Sequence, residues 1–248
     1  MPKPKLLLYL GLTGLLLAAG YFGGLYLLPP APAADPFVAY EVDLKKQELK
    51  LYWQDDHGQP LRSLLNLRGW LGGRGQRLVF ATNAGMYRSG NAPLGLFVKA
   101  GRIVAPLDTA SGSGNFYLKP NGVFYVTTDR QAGICESGRF RYSTKIRYAT
   151  QSGPLLVLGG QIHPAFRPGS RNRTVRNGVG LLPDGRVLFA MSKGEVSLYD
   201  FATYFRRRGC RDALYLDGYV SRTYLPAQQW FQTDGDFGVM VGVTEPAR

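Results

Sequence analysis

The sequence predicts an α+β fold: a single domain on a large mixed or antiparallel sheet with a few helices, after an N-terminal export or anchor segment. Three observations predict it. Short apolar or alternating runs recur along the chain between turns rich in Gly, Asn and Asp, the pattern of successive hairpins. Only two stretches show helical spacing of apolar residues. A chain of 248 residues with 45% hydrophobic residues can bury a substantial core and lies within the size range of one β-rich domain.

Taken in order, the chain begins with Lys3 and Lys5, then an uncharged apolar run from Leu6 to Leu28, then Pro29, Pro30 and the small residues Ala31 to Ala34. A positive end, an apolar middle and an Ala-Pro-Ala tail mark an export signal. The run is also long enough to span a bilayer. Residues 1–34 are therefore expected to be a signal peptide or a single transmembrane anchor with a proline-rich linker, and residues 35–248 the folded domain. Lysines before the run and none just after it keep the N-terminus inside. The domain is thus expected in the periplasm or another extracytoplasmic space, secreted or held at the membrane by its N-terminal helix.

In the domain, Phe37 to Leu44 and Glu48 to Trp53 read as a first hairpin, and Pro60 to Leu71 as an amphipathic helix ended by Gly72-Gly73. Arg77 to Ala81 reads as a short buried strand. Hairpins are expected for Gly95 to Lys99 with Arg102 to Leu107, Asn115 to Leu118 with Gly122 to Thr127, Leu155 to Leu158 with Gln161-Ile162, and Gly178 to Leu182 with Arg186 to Met191. Ser197 to Arg208 is the second helix. Ser197 can cap it, Leu198, Phe201, Ala202 and Phe205 share one face, Arg206 to Arg208 suit its negative end, and Gly209 can stop it. Gly235 to Val243 closes the chain as a strand.

The net charge is +13, of which Lys3 and Lys5 carry two, so +11 stays with the domain. Such a balance favours anionic partners. No Lys/Arg block with interleaved aromatics resembles a nucleic-acid module, so nucleic acid is not an expected partner. Cys135 and Cys210 stand 75 positions apart, and in an exported chain such a pair is expected to form a disulfide. With only His57 and His163 present, a Cys/His zinc site is not expected. Asp55-Asp56 and Asp234-Gly235-Asp236 lack the spacing of a calcium loop. No metal or cofactor is implied. Neither histidine sits in a nucleophile setting and there is no Gly-x-Ser-x-Gly, which argues against a Ser-His-Asp hydrolase.

Four strand-to-turn junctions place polar side chains beside small residues: Thr82-Asn83-Ala84-Gly85, Gln151-Ser152-Gly153-Pro154, Arg176-Asn177-Gly178-Val179-Gly180 and Leu216-Asp217-Gly218. Each is an ordinary turn by itself, but together they could line one pocket with amides, a cation and a carboxylate. Asp217 is the centre of this set, delivered by the apolar run Ala213 to Leu216 into a turn followed by Ser221 and Arg222.

These segments, with Met86-Tyr87, Asn115-Phe116 and Asn121-Gly122-Val123-Phe124, occur in the order that resembles the phosphodiester glycosidase domain. The likeness spans about residues 77 to 243 and is nearest to the exported bacterial branch of that family, whose function is mostly unassigned. The family includes an enzyme that removes N-acetylglucosamine from a phosphodiester. The resemblance implies a hydrolase of sugar-1-phosphodiesters, with Asn83, Arg176 and Asp217 on the family's Asn-Ala-Gly, Arg-x-x-x-Gly and Asp-Gly-Gly motifs. One departure stands out: the Asp-Gly-Gly-Gly-Ser-Ser run of the enzyme branch is here Asp217-Gly218-Tyr219-Val220-Ser221-Arg222, which reshapes the pocket at Tyr219 and Val220.

The chemistry suits these residue types. A leaving phosphate is a weak base that needs charge neutralisation more than a proton, and an arginine fork supplies it. The anomeric carbon gains oxocarbenium character, which a carboxylate can stabilise, attack, or meet with an activated water. Arg176 is accordingly expected to hold the phosphate and Asp217 to act at the anomeric centre. Asn83, Gln151 and Ser221 are expected to orient hydroxyl or phosphate oxygens, with Asn115, Asn121, Gly85 and Gly180 completing the substrate site. A second carboxylate could come from Glu195, Asp200 or Asp236. The rival reading is a non-catalytic module that binds anionic glycans or lipid headgroups in the same pocket.

Overall fold

Three sheets meet at Phe189. The computed structural model describes residues 35–247, so the expected signal or anchor segment lies outside the described residues. Among the described residues no helix is long and apolar enough to cross a membrane. Phe189 stands on Val187–Ser192, second from the edge of a six-stranded sheet whose order is Phe37–Val42, Val187–Ser192, Asn177–Leu181, Ala213–Tyr215, Leu155–Leu158, Gln161–Ile162. Its ring lies 5.3 Å from that of Phe80 and 5.9 Å from that of Phe124. Phe124 belongs to a five-stranded sheet of Arg102–Ala105, Phe97–Lys99, Ile146–Ser152, Gly122–Thr127 and Ala132–Glu136. Phe80 belongs to a second, of Trp230–Phe231, Thr223–Leu225, Gln76–Asn83, Met240–Pro246 and Leu49–Tyr52. Neighbouring strands in all three sheets pair antiparallel. One shared core draws its inward residues from all three sheets.

Both expected helices form. Leu198–Arg207 is capped by the Ser197 hydroxyl, which accepts from the Asp200 N–H, and it buries Phe201, Ala202 and Phe205 on the six-stranded sheet. The other helix runs Leu64–Gly72 and buries Leu64, Leu67 and Leu71. It begins later than the apolar spacing from Pro60 suggests because Arg62 takes a left-handed φ of 67°, which no helix tolerates. Ser63 then caps the new start by accepting from Asn66 N–H.

Three corrections follow from long-range pairing. Phe37–Val42 and Leu49–Tyr52 do not form a hairpin. The first pairs with Val187–Ser192 and the second with Met240–Pro246, in different sheets. Both are strands with a buried face, but the connection is a corner: Asp43 O accepts from Lys46 and Gln47 N–H, and the Gln47 side chain accepts in return from Asp43 N–H. Asn115–Tyr117 is a short 3-10 turn, and Gly122–Thr127 pairs instead with Ala132–Glu136. Asn121 pins that turn by donating to Phe116 O at 2.7 Å. The remaining expected hairpins form: Leu155–Leu158 with Gln161–Ile162 as expected, Asn177–Leu181 with Val187–Ser192 shifted by one residue, and Phe97–Lys99 with Arg102–Ala105 on shorter strands. The turns at Ala100-Gly101 and Gly159-Gly160 have φ values that are all positive.

The third correction concerns the cysteines. Cys135 and Cys210 are free thiols. Cys210 belongs to the cluster under Phe205, whereas Cys135 packs with Val123 and Phe140 in a separate cluster. Burial pushes the Cys210 thiol up to about 12 and raises that of Cys135 as well. Both are held as inert thiols. The melting temperature of the full chain is therefore expected to be the same with and without reductant, and thiol titration after denaturation without reductant should find both cysteines; a reductant-sensitive melt would contradict this arrangement.

Candidate functional site

The junction of two sheets delivers Asp217. Its strand, Ala213–Tyr215, ends beside the terminus of Gln76–Asn83, and the two are tied by backbone: Asp217 N–H donates to Ala84 O at 2.9 Å. Buried Asn83 then clamps the loop from both sides. Its Nδ2 donates to Asp217 O at 2.5 Å and its Oδ1 accepts from Arg222 N–H at 2.9 Å. Asn177 braces Asn83 by donating to its carbonyl at 2.7 Å and to its Oδ1 at 3.1 Å. Ser221 Oγ closes the loop on Gly218 O at 3.1 Å and Asn177 Oδ1 at 3.3 Å. Asn83 and Ser221 thus spend their polar atoms on the loop that carries Asp217.

Beneath that loop lies Arg176, only 1% exposed. Its Nε donates to Val196 O at 2.8 Å, one terminal nitrogen to Tyr215 Oη at 3.1 Å, and the other to Asn172 O and Oδ1 at 2.9 and 3.1 Å. The guanidinium is committed to protein acceptors and does not line the cleft described next. It holds Tyr215, and Tyr215 floors the Gly218 turn so closely that a Cβ on Gly218 would collide with the phenol. Glycine at 218 is therefore a packing requirement as well as a turn residue.

Asp217 opens onto a cleft of about 830 Å³. One wall is Gln59, Pro60 and Arg62; another is Met86 to Asn91 with Leu94; a third is Ser113 to Tyr117; Asp217, Tyr219 and Asp236 complete it. Asp217 is 9% exposed, and burial pushes its carboxyl up to about 6 against the opposing bond from Tyr219 N–H. Asp236 is its opposite. It is ion-paired through Arg62 Nε at 2.8 Å and accepts from Asn91 Nδ2 at 2.8 Å, and these two bonds hold its carboxyl below the usual range. Tyr87 lies in the field of both carboxylates: burial first, then the charges of Asp217 and Asp236, raise its phenol. One cleft therefore holds a desolvated carboxyl and an ionised one, with aromatic surface from Tyr87, Phe116, Tyr117 and the 97% exposed Tyr219. Aromatic faces of this kind stack on sugar rings.

The other expected site residues fall elsewhere. Asn115 lines the cleft. Gln151 is fully buried, its amide bonded to Leu96 N–H, Asp108 N–H, Asp108 O and Ser137 Oγ, so it ties the segments at Leu96, Asp108 and Ser137 to its strand and does not line the cleft. Asn121 is spent on the Phe116 turn. Gly85 passes so close to Thr150 that a Cβ would strike its hydroxyl, and a Cβ at Gly180 would stand 2.6 Å from the Phe205 ring. Both are packing positions. Of the candidate second carboxylates, Asp200 is engaged by Ser197 and Arg173 in the helix cap, Glu195 does not line the cleft, and Asp236 does. Sequence reasoning gave no role to Arg62, Tyr87 or Arg88. Tyr87 stands two residues after the Asn83-Ala84-Gly85 segment, which was a usable signal; for Arg62 and Arg88 the sequence carries none.

The chain is similar to several known proteins. The family model described as "Phosphodiester glycosidase" matches residues 76–242. A protein of Escherichia coli K12 named "Uncharacterized protein YigE" is 38% identical over 188 residues, covering 75% of this chain and 73% of its own. Among solved structures, the catalytic domain of zebrafish N-acetylglucosamine-1-phosphodiester alpha-N-acetylglucosaminidase, auto-inhibited by its pro-peptide, superposes with a TM-score of 0.58 at 13% identity, over 87% of this chain and 85% of that one. A hypothetical protein from Synechocystis superposes with a TM-score of 0.52 at 14% identity, over 84% of this chain and 59% of that one.

Proposed function

Because this chain belongs to the phosphodiester glycosidase family, we propose that it hydrolyses the glycosidic bond of sugar-1-phosphodiesters, with Asp217 as the reacting carboxylate. The observation that carries the reading is Asp217 itself: a rigidly clamped, desolvated carboxylate facing an aromatic cleft large enough for a sugar. A carboxyl titrating near 6 is mostly ionised at neutral pH and a stronger base than an ordinary aspartate. Asp217 takes a proton from water as the water oxygen bonds to the anomeric carbon. The bond from that carbon to the phosphate oxygen breaks, and its electron pair leaves with the phosphate. The products are free sugar and a phosphomonoester. No acid is required on the leaving side, since the departing phosphate is a weak base.

Asn83, Asn177 and Ser221 act as positioning residues for Asp217, and Arg176 supports them from below through Tyr215. The substrate class expected is an exported or envelope glycan phosphodiester.

The test uses the purified full chain with a panel of methyl and glyceryl phosphodiesters of N-acetylglucosamine, glucose and mannose in ¹⁸O-labelled water. Release of free sugar with the label on the sugar is the expected result. Label on the phosphate would mean a phosphodiesterase. No release from any substrate, by a protein that still binds the glycans, would favour the binding module.

A further inference from the structure

A phosphodiester in this cleft needs a cation within reach, and the cleft has two. Arg176 is not one of them, because four of its N–H bonds are given to Val196, Tyr215 and Asn172 beneath the site. The lining cations are Arg62 and Arg88. They differ in commitment. Arg62, which lines the cleft, presents Nε and one terminal nitrogen to Asp236, at 2.8 and 3.1 Å, and among the described residues its other terminal nitrogen has no hydrogen-bond partner. The Arg88 side chain is exposed and, among the described residues, has no hydrogen-bond or ion-pair partner. It follows directly on Tyr87, whose phenol lies in the field of Asp217.

The backbone around Arg62 is built rather than incidental. Arg62 and Asn91 both take left-handed φ, 67° and 57°, without being glycine. Each holds the Asp236 segment: Arg62 O accepts from Phe237 N–H at 2.6 Å, and Asn91 Nδ2 donates to Asp236 Oδ1 at 2.8 Å and Phe237 O at 3.0 Å. Non-glycine residues in that conformation persist only where their surroundings impose it, and such residues cluster at ligand sites. Here two of them orient one guanidinium at the mouth of the cleft.

We infer that Arg62 and Arg88 form the anion seat of this cleft, Arg88 as the free cation that meets the phosphate and Arg62 as a second donor fixed by Asp236 and Asn91. The inference rests on the phosphodiester reading for its ligand class. A non-esterified phosphate oxygen would accept from Arg88, with Arg62 aligned alongside. The phosphate is thereby placed at the open mouth, where a large aglycone can project to solvent while the sugar stacks inward beside Asp217. The occupant is a sugar carrying phosphate on its anomeric oxygen.

Calorimetry on the full chain bearing Asp217→Asn, which removes turnover, tests it. The probes are N-acetylglucosamine, glucose and mannose, each free and as its 1-phosphate and 1-(methyl phosphate). For at least one sugar, the phosphate should tighten binding by about tenfold or more, as a charge-assisted bond to an anion does. Arg88→Gln should remove about tenfold of that gain, Arg88→Lys should restore part of it, and Arg62→Gln with Arg88→Gln should abolish it while the free sugar binds as before. Arg88 is exposed, so its variants keep the fold. Phosphate gain undiminished in the double variant, or absent in the parent for every sugar, would overturn the seat. A gain that depends on both arginines without sugar release from any phosphodiester would sink the hydrolase reading and leave the seat standing.

Discussion

Replacing Asp217 by Asn is expected to stabilise the protein above pH 6 while abolishing turnover. The carboxyl ordinarily titrates near 3.8, but in the fold it titrates near 6. The folded state therefore binds this proton more tightly than the unfolded chain does. Below about pH 4 both states are protonated and nothing is lost. As pH rises from about 4 to 6 the unfolded state ionises first, and stability falls; above 6 the native protein carries the full penalty, on the order of 3 kcal/mol at most. An asparagine side chain has no charge to desolvate. Denaturant titrations should show Asp217→Asn matching the parent near pH 4 and exceeding it by about 2 to 3 kcal/mol at pH 8. Equal stability at both pH values would mean that Asp217 is not desolvated. A site residue that destabilises its own fold is the pattern expected where position has been selected for chemistry.

Arg176→Ala is expected to have the opposite signature: a loss of about 3 to 5 kcal/mol, from the cavity and from the acceptors of Val196, Asn172 and Tyr215 left without donors. Turnover should fall further than the folded fraction, because Tyr215 loosens under Gly218 and the Asp217 loop with it. Arg176→Lys should recover only part of the stability, since an ammonium cannot span the three partners that a guanidinium fork reaches. Denaturant midpoints at pH 7 check both. An Arg176→Ala protein of parental stability that has lost binding of the sugar phosphates would return the phosphate to Arg176.

What could be read from the sequence was local. The helix over Leu198–Arg207 was legible because its buried face, its Ser197 cap and its Arg-rich end all lie within one short segment. The hairpins around Ala100-Gly101 and Gly159-Gly160 were legible because their turns demand positive φ. The pairing of Phe37–Val42 with Val187–Ser192 was not, because alternation shows that a strand has a buried face and says nothing about a partner about 150 positions away. The site divides in the same way. Asp217 and Asn83 stand out as polar residues ending apolar strands beside small residues, and the family motifs run through them. Arg176 carries the same motif signal, yet its place beneath the loop depends on Asn172, Val196 and Tyr215 converging on it. Arg62, Arg88 and Asp236 come from segments that only the folded chain brings to one cleft, and the left-handed backbone of Arg62 and Asn91 has no mark in the sequence. Cys135 and Cys210 show the limit of arithmetic: two cysteines admit a bridge, but their strands pack them into separate clusters.

If the clamped carboxylate of Asp217 is the base that acts at the anomeric carbon, its ionisation must govern the rate. The most direct measurement is kcat/KM against pH for the full chain on a sugar-1-phosphodiester that it hydrolyses, with Asp217→Asn alongside. A rise to half-maximum near pH 6, where Asp217 ionises, is the predicted profile, together with a loss of at least about a thousandfold in the Asn variant at all pH values. A profile flat through pH 6, or an Asp217→Asn protein within about tenfold of the parent, would contradict it.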